Sequence, residues 1–216
     1  MIVAVVDSGS GNLNSVARAL TRAGELAGLA PEIRITRDAE QVRLADRVVL
    51  PGQGAFAACR AGLAALTGMT EALAEVGLRR ARPLLGICVG MQLLAERGLE
   101  HGPVDGLAWL PGEIAPMDPR DEWGAPLPLP QMGWNRLRPN ARHPLLARLP
   151  DEPYGYFVHS FAWRGGNPAD ILATAVYGGE VTAMIGRGNL VGTQFHVEKS
   201  GMTGLSILRN FLAWTP

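Results

Sequence analysis

The stretch Arg82-Pro-Leu-Leu-Gly-Ile-Cys-Val-Gly-Met-Gln-Leu-Leu94 decides how this chain of 216 residues is read. Pro83–Ile87 is a compact apolar run that reads as a strand, and Val89–Arg97 reads as a helix. A single residue, Cys88, joins them, with Gly86 and Gly90 two positions to either side. That is the pattern of a sharp strand-to-helix elbow, where small neighbours allow the backbone to pass closely. The same strand–turn–helix order recurs upstream. Ile2–Val6 is a continuous β-branched and apolar run ending in Asp7, as in a strand buried on both faces. After a turn at Ser8–Gly11, Asn12 to about Ala27 reads as a helix with Leu13, Val16, Ala17 and Leu20 on one face. Ile33–Thr36 is a short strand, and Asp38-Ala-Glu-Gln41 reads as a capping box opening a helix through about Ala45. Arg47–Leu50 is a strand stopped by Pro51-Gly-Gln-Gly54, and Ala55–Leu66 and Thr70–Arg80 are helical. This alternation predicts an α/β fold with a doubly wound, mostly parallel sheet flanked by helices.

The texture changes after the first hundred residues. Prolines at 111, 116, 119, 126, 128 and 130 exclude a helix there. Strand-like pieces follow at Met132–Leu137, Tyr154–Trp163, Ile171–Tyr177, Val181–Ile185 and Leu190–His196, with Gly178-Gly179 as a hairpin turn. The second half therefore reads as antiparallel or mixed. Thr203–Trp214 closes as a helix with Leu205, Leu208, Phe211 and Leu212 inward. No internal repeat or linker divides the chain, so one domain over residues 1–216 is expected.

Twenty Lys+Arg balance twenty Asp+Glu, so no basic surplus is available for phosphates, and nucleic-acid binding is not expected. With 47% hydrophobic residues the chain has material for a core. Two cysteines, Cys59 and Cys88, make neither a disulfide framework nor a four-cysteine zinc site, and no metal or cofactor is expected. No run approaches a membrane helix, and the N-terminal segment lacks the basic start of a signal peptide. A soluble, cytoplasmic protein is the expectation.

At a helix N-terminus the Cys88 sulfur is favoured as thiolate, the reactive form. The Val89 amide can donate to an oxyanion, and Gln92 follows one helical turn later. Taken by itself, Cys88 fits a buried core cysteine equally well. Cys59, in an Ala-rich helical stretch, reads as structural. A cysteine nucleophile needs a base and a group to orient that base. His101 and His143 sit in loops beside Gly or Pro. His159 lies too near the sheet interior for a base, although His159-Ser160 can line a pocket. His196 ends its strand-like piece, and Glu198, two residues on, points to the same side of an extended segment. The carboxylate there can fix the tautomer that leaves the other ring nitrogen for Cys88. In Pro51-Gly-Gln-Gly54, Gly52 and Gln53 can supply a second oxyanion donor. Asp7-Ser-Gly-Ser-Gly-Asn12 lacks the spacing of a dinucleotide fingerprint.

Together these motifs carry a resemblance. Gly86-Ile-Cys-Val-Gly-Met-Gln92 resembles the nucleophile segment of class I (triad) glutamine amidotransferases, and Thr193-Gln-Phe-His-Val-Glu-Lys-Ser200 their His-x-Glu segment. Within that superfamily four features are similar to the glutaminase subunits of imidazole glycerol phosphate synthases. They are Val6–Ser15, Pro51-Gly-Gln-Gly-Ala-Phe56, Met132-Gly-Trp-Asn135, and Tyr156–Phe161 with Glu198-Lys-Ser200. The resemblance runs nearly end to end.

It implies hydrolysis of glutamine to glutamate and ammonia. Cys88 would attack the amide carbon, His196 would move the proton, and Glu198 would orient His196. Val89 and the Gly52–Gln53 loop would hold the oxyanion, while Gln92 and the backbone around Ser160-Phe161 would grip the substrate. Ammonia would pass to the cyclase subunit of a heterodimer, with a (β/α)8-barrel fold, in histidine biosynthesis. A barrel of about 250 residues does not fit in this chain, so it would be a separate partner. Asn12, Trp134, Asn135 and Lys199 would lie at or near the docking face. The chain departs from the family pattern at Ser8, Gln53, Gln131 and Val197, where Tyr, Val, His and Pro are frequent, and at about residues 24–31, which run slightly longer. Other glutaminase subunits (anthranilate-type or pyridoxal-synthase), a cysteine peptidase and a non-catalytic module on the same scaffold are the competing readings. The first lack Met-Gly-Trp-Asn with Glu-Lys-Ser, and the last would not need Cys88, His196 and Glu198 together.

Overall fold

The computed structural model describes residues 1–216. Five parallel strands form most of an eight-stranded sheet. In spatial order they are β2 (Glu32–Thr36), β1 (Ile2–Val6), β3 (Arg47–Gly52), β4 (Leu84–Cys88) and β14 (Leu190–Thr193). The sheet continues antiparallel through β13 (Glu180–Arg187), β12 (Ile171–Val176) and β9 (Arg138–Pro139). The inner parallel strands are buried along nearly their whole length, which is why their sequences show no polar alternation. Gly178 and Gly179 make the β12–β13 hairpin, both with positive φ. The helices are α1 (Leu13–Ala27), α2 (Ala39–Leu44), α3 (Phe56–Ala64), α4 (Met69–Ala74), the single turn α5 (Val89–Gln92) and α6 (Gly201–Ala213). One core cluster of 51 buried residues joins sheet and helices. The expected mixed α/β sheet is present, with its parallel strands from the first half and its antiparallel strands from the second.

Two smaller sheets lie beyond the main one. β5 (Arg97–Gly98), β6 (Val104–Asp105), β7 (Glu113–Pro116) and β11 (Phe161–Arg164) form the first. β8 (Gln131–Arg136) and β10 (Tyr154–His159) form an antiparallel ribbon.

Several boundaries differ from the sequence reading, each for a physical reason. The helix expected from Val89 to Arg97 ends after one turn. The Leu93 carbonyl, which the Arg97 amide would have used in that helix, accepts instead from Leu107, and the carbonyls of Leu94, Ala95 and Glu96 accept from Trp109 and Leu110, Ala108 and Gly106 on the same returning loop. Tyr154–Trp163 is not one strand, because the chain breaks at Ser160 and β10 and β11 enter different sheets. The helix expected over Thr70–Arg80 is α-helical only through Ala74 and widens into a π turn over Glu75–Arg79. Glu75 is fixed there by Arg43 and Arg80. At α2, Asp38 caps the Glu40 amide at 2.9 Å, and the Asp38 amide is bonded by Thr36 Oγ1 at 2.9 Å rather than by Gln41. Asn12 is the N-cap of α1 rather than its first residue, its Oδ1 accepting from the Ser15 amide at 3.3 Å.

A very tight backbone crossing lies between α5 and β3. A Cβ on Gly90 would overlap the Leu50 carbonyl, and one on Gly52 would lie 2.6 Å from the Gly90 nitrogen. Gly90→Ala is expected to lower unfolding free energy by about 3 kcal/mol or more, measured by chemical denaturation against the wild-type chain.

Candidate active site

Cys88 is the last residue of β4 and precedes the first turn of α5. Its φ of 54° and ψ of −114° place a non-glycine residue in a sparsely populated region. Such a conformation is retained only where the surroundings enforce it. A Cβ on Gly86 would lie 2.6 Å from both the Gly90 oxygen and the Met91 nitrogen, so both flanking glycines are sterically required. Gly52 is the direct β3 neighbour of Cys88. Because α5 is one turn long, it offers first-turn amides to the sulfur rather than a long helix dipole.

His196 lies beyond the end of β14, so the extended geometry expected for His196 and Glu198 is not what joins them. His196 caps a 3-10 turn over Val197–Lys199, and that turn folds Glu198 back. The Glu198 carboxylate accepts from His196 Nδ1 at 2.9 Å, both side chains being almost fully buried. Ser200 Oγ donates to the His196 carbonyl at 2.7 Å and accepts from the Tyr156 amide at 3.0 Å, tying the turn to β10. With Nδ1 committed, Nε2 is the nitrogen left for Cys88, and no protein group hydrogen-bonds it. Burial alone would push the imidazole down. Interaction with the Cys88 sulfur and with Glu198 outweighs burial and raises it to about 9.

A cavity of about 320 Å³ opens at this pair. Gln53, Val89, Gln92, Ser160 and Phe161 all line it with Cys88 and His196. Gln92 Nε2 donates to the Phe161 carbonyl at 3.2 Å and to Gln194 Oε1 at 3.0 Å. Both of its N–H donors are therefore used, and what Gln92 offers a ligand is its oxygen. Gln194, fully buried, reaches Cys88 Sγ with its own Nε2 at 3.8 Å. The sequence reading missed Gln194, and it missed Glu100, which also lines the cavity. Glu100 Oε2 accepts from the Phe56 amide at 2.8 Å and so caps α3, whose N-cap Ala55 has no capping side chain. Glu100 sits in no pattern that spacing could have revealed, whereas Gln194 stands two residues before His196, the same spacing that singled out Glu198.

Cys59 is buried away from the cavity. It lies 3.2 Å from Ser10 Oγ and 3.2 Å from the Gln53 carbonyl, and burial pushes its thiol up. Ser8 is buried beneath α3, where a Cβ on Gly62 would overlap its carbonyl. At the other end of the site, Trp134 is exposed and packs edge-on against Tyr156 at 5.6 Å, and Lys199 Nζ lies 5.9 Å over the same ring. Asn135 does not share the Trp134 face. Strand alternation turns it inward, where it bonds Gln131 and the Val176 carbonyl. Asn12 is exposed and serves as the cap of α1. No helix of the chain is long and apolar enough to cross a membrane.

A Cys–His–Glu site at an elbow in an α/β sheet defines the class. Residues 4–214 match the family described as glutamine amidotransferase class-I, and the chain belongs to that family. It aligns over 99% of its length with a crystal structure of a glutamine amidotransferase at a TM-score of 0.70 and 18% identity, covering 98% of that chain. A glutamine amidotransferase from Thermotoga maritima aligns at a TM-score of 0.65 and 15% identity, covering 98% of this chain and 96% of that one. These two likenesses concern the fold. Sequence relatives are more specific. The chain is 56% identical to imidazole glycerol phosphate synthase subunit HisH of Rhodospirillum rubrum and 51% identical to that of Brucella suis, with full coverage of both chains in each case. The HisH subunit of Granulibacter bethesdensis is 53% identical, with 97% of it covered. Within the amidotransferases, the chain is a glutaminase of this subunit family.

The two buried histidines should titrate far apart. Burial, opposed by the bond to the Phe161 carbonyl and aided by the charge of His196, lowers His159 to about 4. In an NMR titration the His196 ring is expected to change protonation near pH 9 and His159 near pH 4. Because the folded value of His196 is raised, its contribution to stability is complete below its ordinary 6.5 and is lost as pH rises through about 9. Glu198→Gln should bring the His196 midpoint down. An unmoved midpoint would show that the carboxylate does not support the charge.

Proposed function

We propose that Cys88, His196 and Glu198 hydrolyse glutamine and that the ammonia released is passed to a cyclase subunit. The observation that carries this reading is the His196 imidazole. It is clamped by Glu198 at 2.9 Å, raised to about 9, and coupled to a cysteine held at a strained elbow. At neutral pH His196 therefore already holds the proton that the departing nitrogen needs, and its positive charge faces the cavity that the attacking sulfur enters.

The sulfur attacks the side-chain carbonyl carbon of glutamine. The oxygen becomes an oxyanion, received by the Val89 amide and by the Gly52–Gln53 loop. Collapse breaks the carbon–nitrogen bond, and His196 gives its proton to the departing nitrogen, which leaves as ammonia. A water then attacks the thioester, His196 accepting its proton, and glutamate leaves as the sulfur is regenerated. Glu198 keeps the imidazole oriented throughout. At the other end of the substrate, Glu100 supplies a carboxylate for the α-ammonium, and the Gln92 oxygen and the Ser160–Phe161 backbone supply polar contacts. Gln194 is a positioning residue, linking the sulfur to Gln92.

The partner in this reading is a (β/α)8-barrel cyclase bound as a heterodimer, as the names of the relatives and the resemblance imply. Trp134, Tyr156 and Lys199 form its docking face, with Asn12 near it. Asn135, turned inward, supports that face from behind. One domain over residues 1–216 acts in the cytoplasm, in histidine biosynthesis, with no cofactor or metal.

Cys88→Ala is expected to abolish ammonia release from glutamine while leaving the fold and cyclase binding intact, because a methyl nearly replaces the thiol in volume. Glu198→Gln should lower kcat by about 10²–10⁴-fold by releasing the imidazole. Glutaminase assays with and without the cyclase and its nucleotide substrate check both, and turnover should rise with the partner present. Ammonia release by Cys88→Ala at the wild-type rate would exclude the nucleophile.

A further inference from the structure

Five buried side-chain polar atoms lack a hydrogen-bond partner, and four belong to Gln131, His159, His196 and Glu198. The last two are part of the triad. Gln131 Oε1 and His159 Nε2 are not, and each is left over by bonds that fix its chemistry. The Phe161 carbonyl can only accept, so His159 Nδ1, 2.9 Å away, carries the hydrogen, and Nε2 presents a bare lone pair. The Val176 carbonyl likewise takes the Asn135 Nδ2 donor at 3.3 Å. Asn135 Oδ1 then takes the Gln131 Nε2 donor at 2.9 Å, and Gln131 is left with its oxygen. Both unserved atoms are therefore acceptors.

They are also neighbours. Gln131 and His159 are directly opposed in the β8–β10 register and point to the same, inner face of the ribbon. At such positions Cβ atoms lie about 5 Å apart. Gln131 is 0% exposed and His159 7%. Buried acceptors are normally supplied with donors. His159 lines the cavity that holds Cys88 and His196, and so does Pro130, the residue before Gln131. The outer face of the same ribbon carries the exposed Met132 and Trp134. The acceptor pair thus sits on the inner face of a ribbon whose one edge of residues, Pro130 and His159, borders the cavity of Cys88 and whose outer face carries the docking residues.

We propose that His159 Nε2 and Gln131 Oε1 bind the ammonia released at Cys88 and direct it toward the Met132–Trp134 face. This assignment rests on the glutaminase reading above. Ammonia brings three N–H donors, the complement of two adjacent acceptors. Both acceptors are uncharged, since burial holds His159 neutral throughout the working pH range. That matters chemically, because a carboxylate in their place would favour ammonium, which has no lone pair to react with. Neutral acceptors hold the molecule in its nucleophilic form.

The test uses this chain in complex with its cyclase, glutamine and the cyclase's nucleotide substrate, measuring glutamate, cyclised product and free ammonia together. The readout is product formed per glutamate, so slower turnover or loss of folded enzyme cancels. The wild-type complex is expected to give one product per glutamate. Gln131→Met and His159→Phe, each removing one acceptor at similar volume, are expected to lower that ratio at least two-fold, with free ammonia making up the difference. A one-to-one ratio in both variants would overturn the acceptor pair, whether the site holds only water or serves the bound amide, the latter showing as a raised KM for glutamine. A wild-type complex that already leaks ammonia would overturn the passage reading itself and the pair with it.

Discussion

The backbone of Gly90 lies against the Leu50 carbonyl with no room for a Cβ between them, and the active site depends on that approach. It draws the first turn of α5 onto the end of β3 and places Gly52 beside Cys88 in the sheet register. Cys88 is left as the only residue that can absorb the change of direction from strand to helix, at positive φ. A conformation of that kind costs about 1–3 kcal/mol and persists because the fully buried parallel strands on either side leave no alternative. Strain and reactivity thus have the same origin, since the turn that strains the cysteine also lifts its sulfur into the cavity.

The electrostatics of the site are settled by a second local device. The 3-10 turn after His196 returns Glu198 to the imidazole, and Ser200 holds that turn against β10. Burial disfavours the charged form of both cavity histidines, but the groups around them differ and the results are opposite. At His196 the sulfur and the carboxylate prevail and the ring keeps its proton. At His159 only a backbone carbonyl opposes burial, and the ring stays neutral. Two imidazoles facing one cavity are thereby held in different protonation states, the difference on which their proposed roles as proton donor and acceptor rest.

Much of this was legible in the sequence. The β-branched and apolar runs, the glycines around Cys88 and the His-x-Glu spacing marked the parallel sheet and the three residues now found together. What escaped were features set by tertiary commitments. The helix after Cys88 is cut short because residues 106–110 take its carbonyls, and Tyr154–Trp163 divides because two sheets compete for it. Gln194, Glu100 and the unserved atoms of Gln131 and His159 matter through what their other atoms are already bonded to, which spacing does not record. Asn135 illustrates the same limit, since it follows Trp134 in sequence but turns to the opposite face of the ribbon. His196–Glu198 is a case where the pair was recognised and its geometry was not, because a folded turn brings together what an extended strand was expected to align.

The two cysteines have opposite chemistry, Cys88 open to the cavity beside an imidazolium and Cys59 buried against Ser10 and the Gln53 carbonyl. The most direct test is peptide mapping by mass spectrometry after treatment with a glutamine analogue that carries an electrophilic chloroketone in place of the side-chain amide. One adduct per chain on Cys88, blocked by excess glutamine and lost in Glu198→Gln at matched exposure, is the predicted result. Labelling of Cys59, or labelling of Cys88 that glutamine does not block, would contradict it.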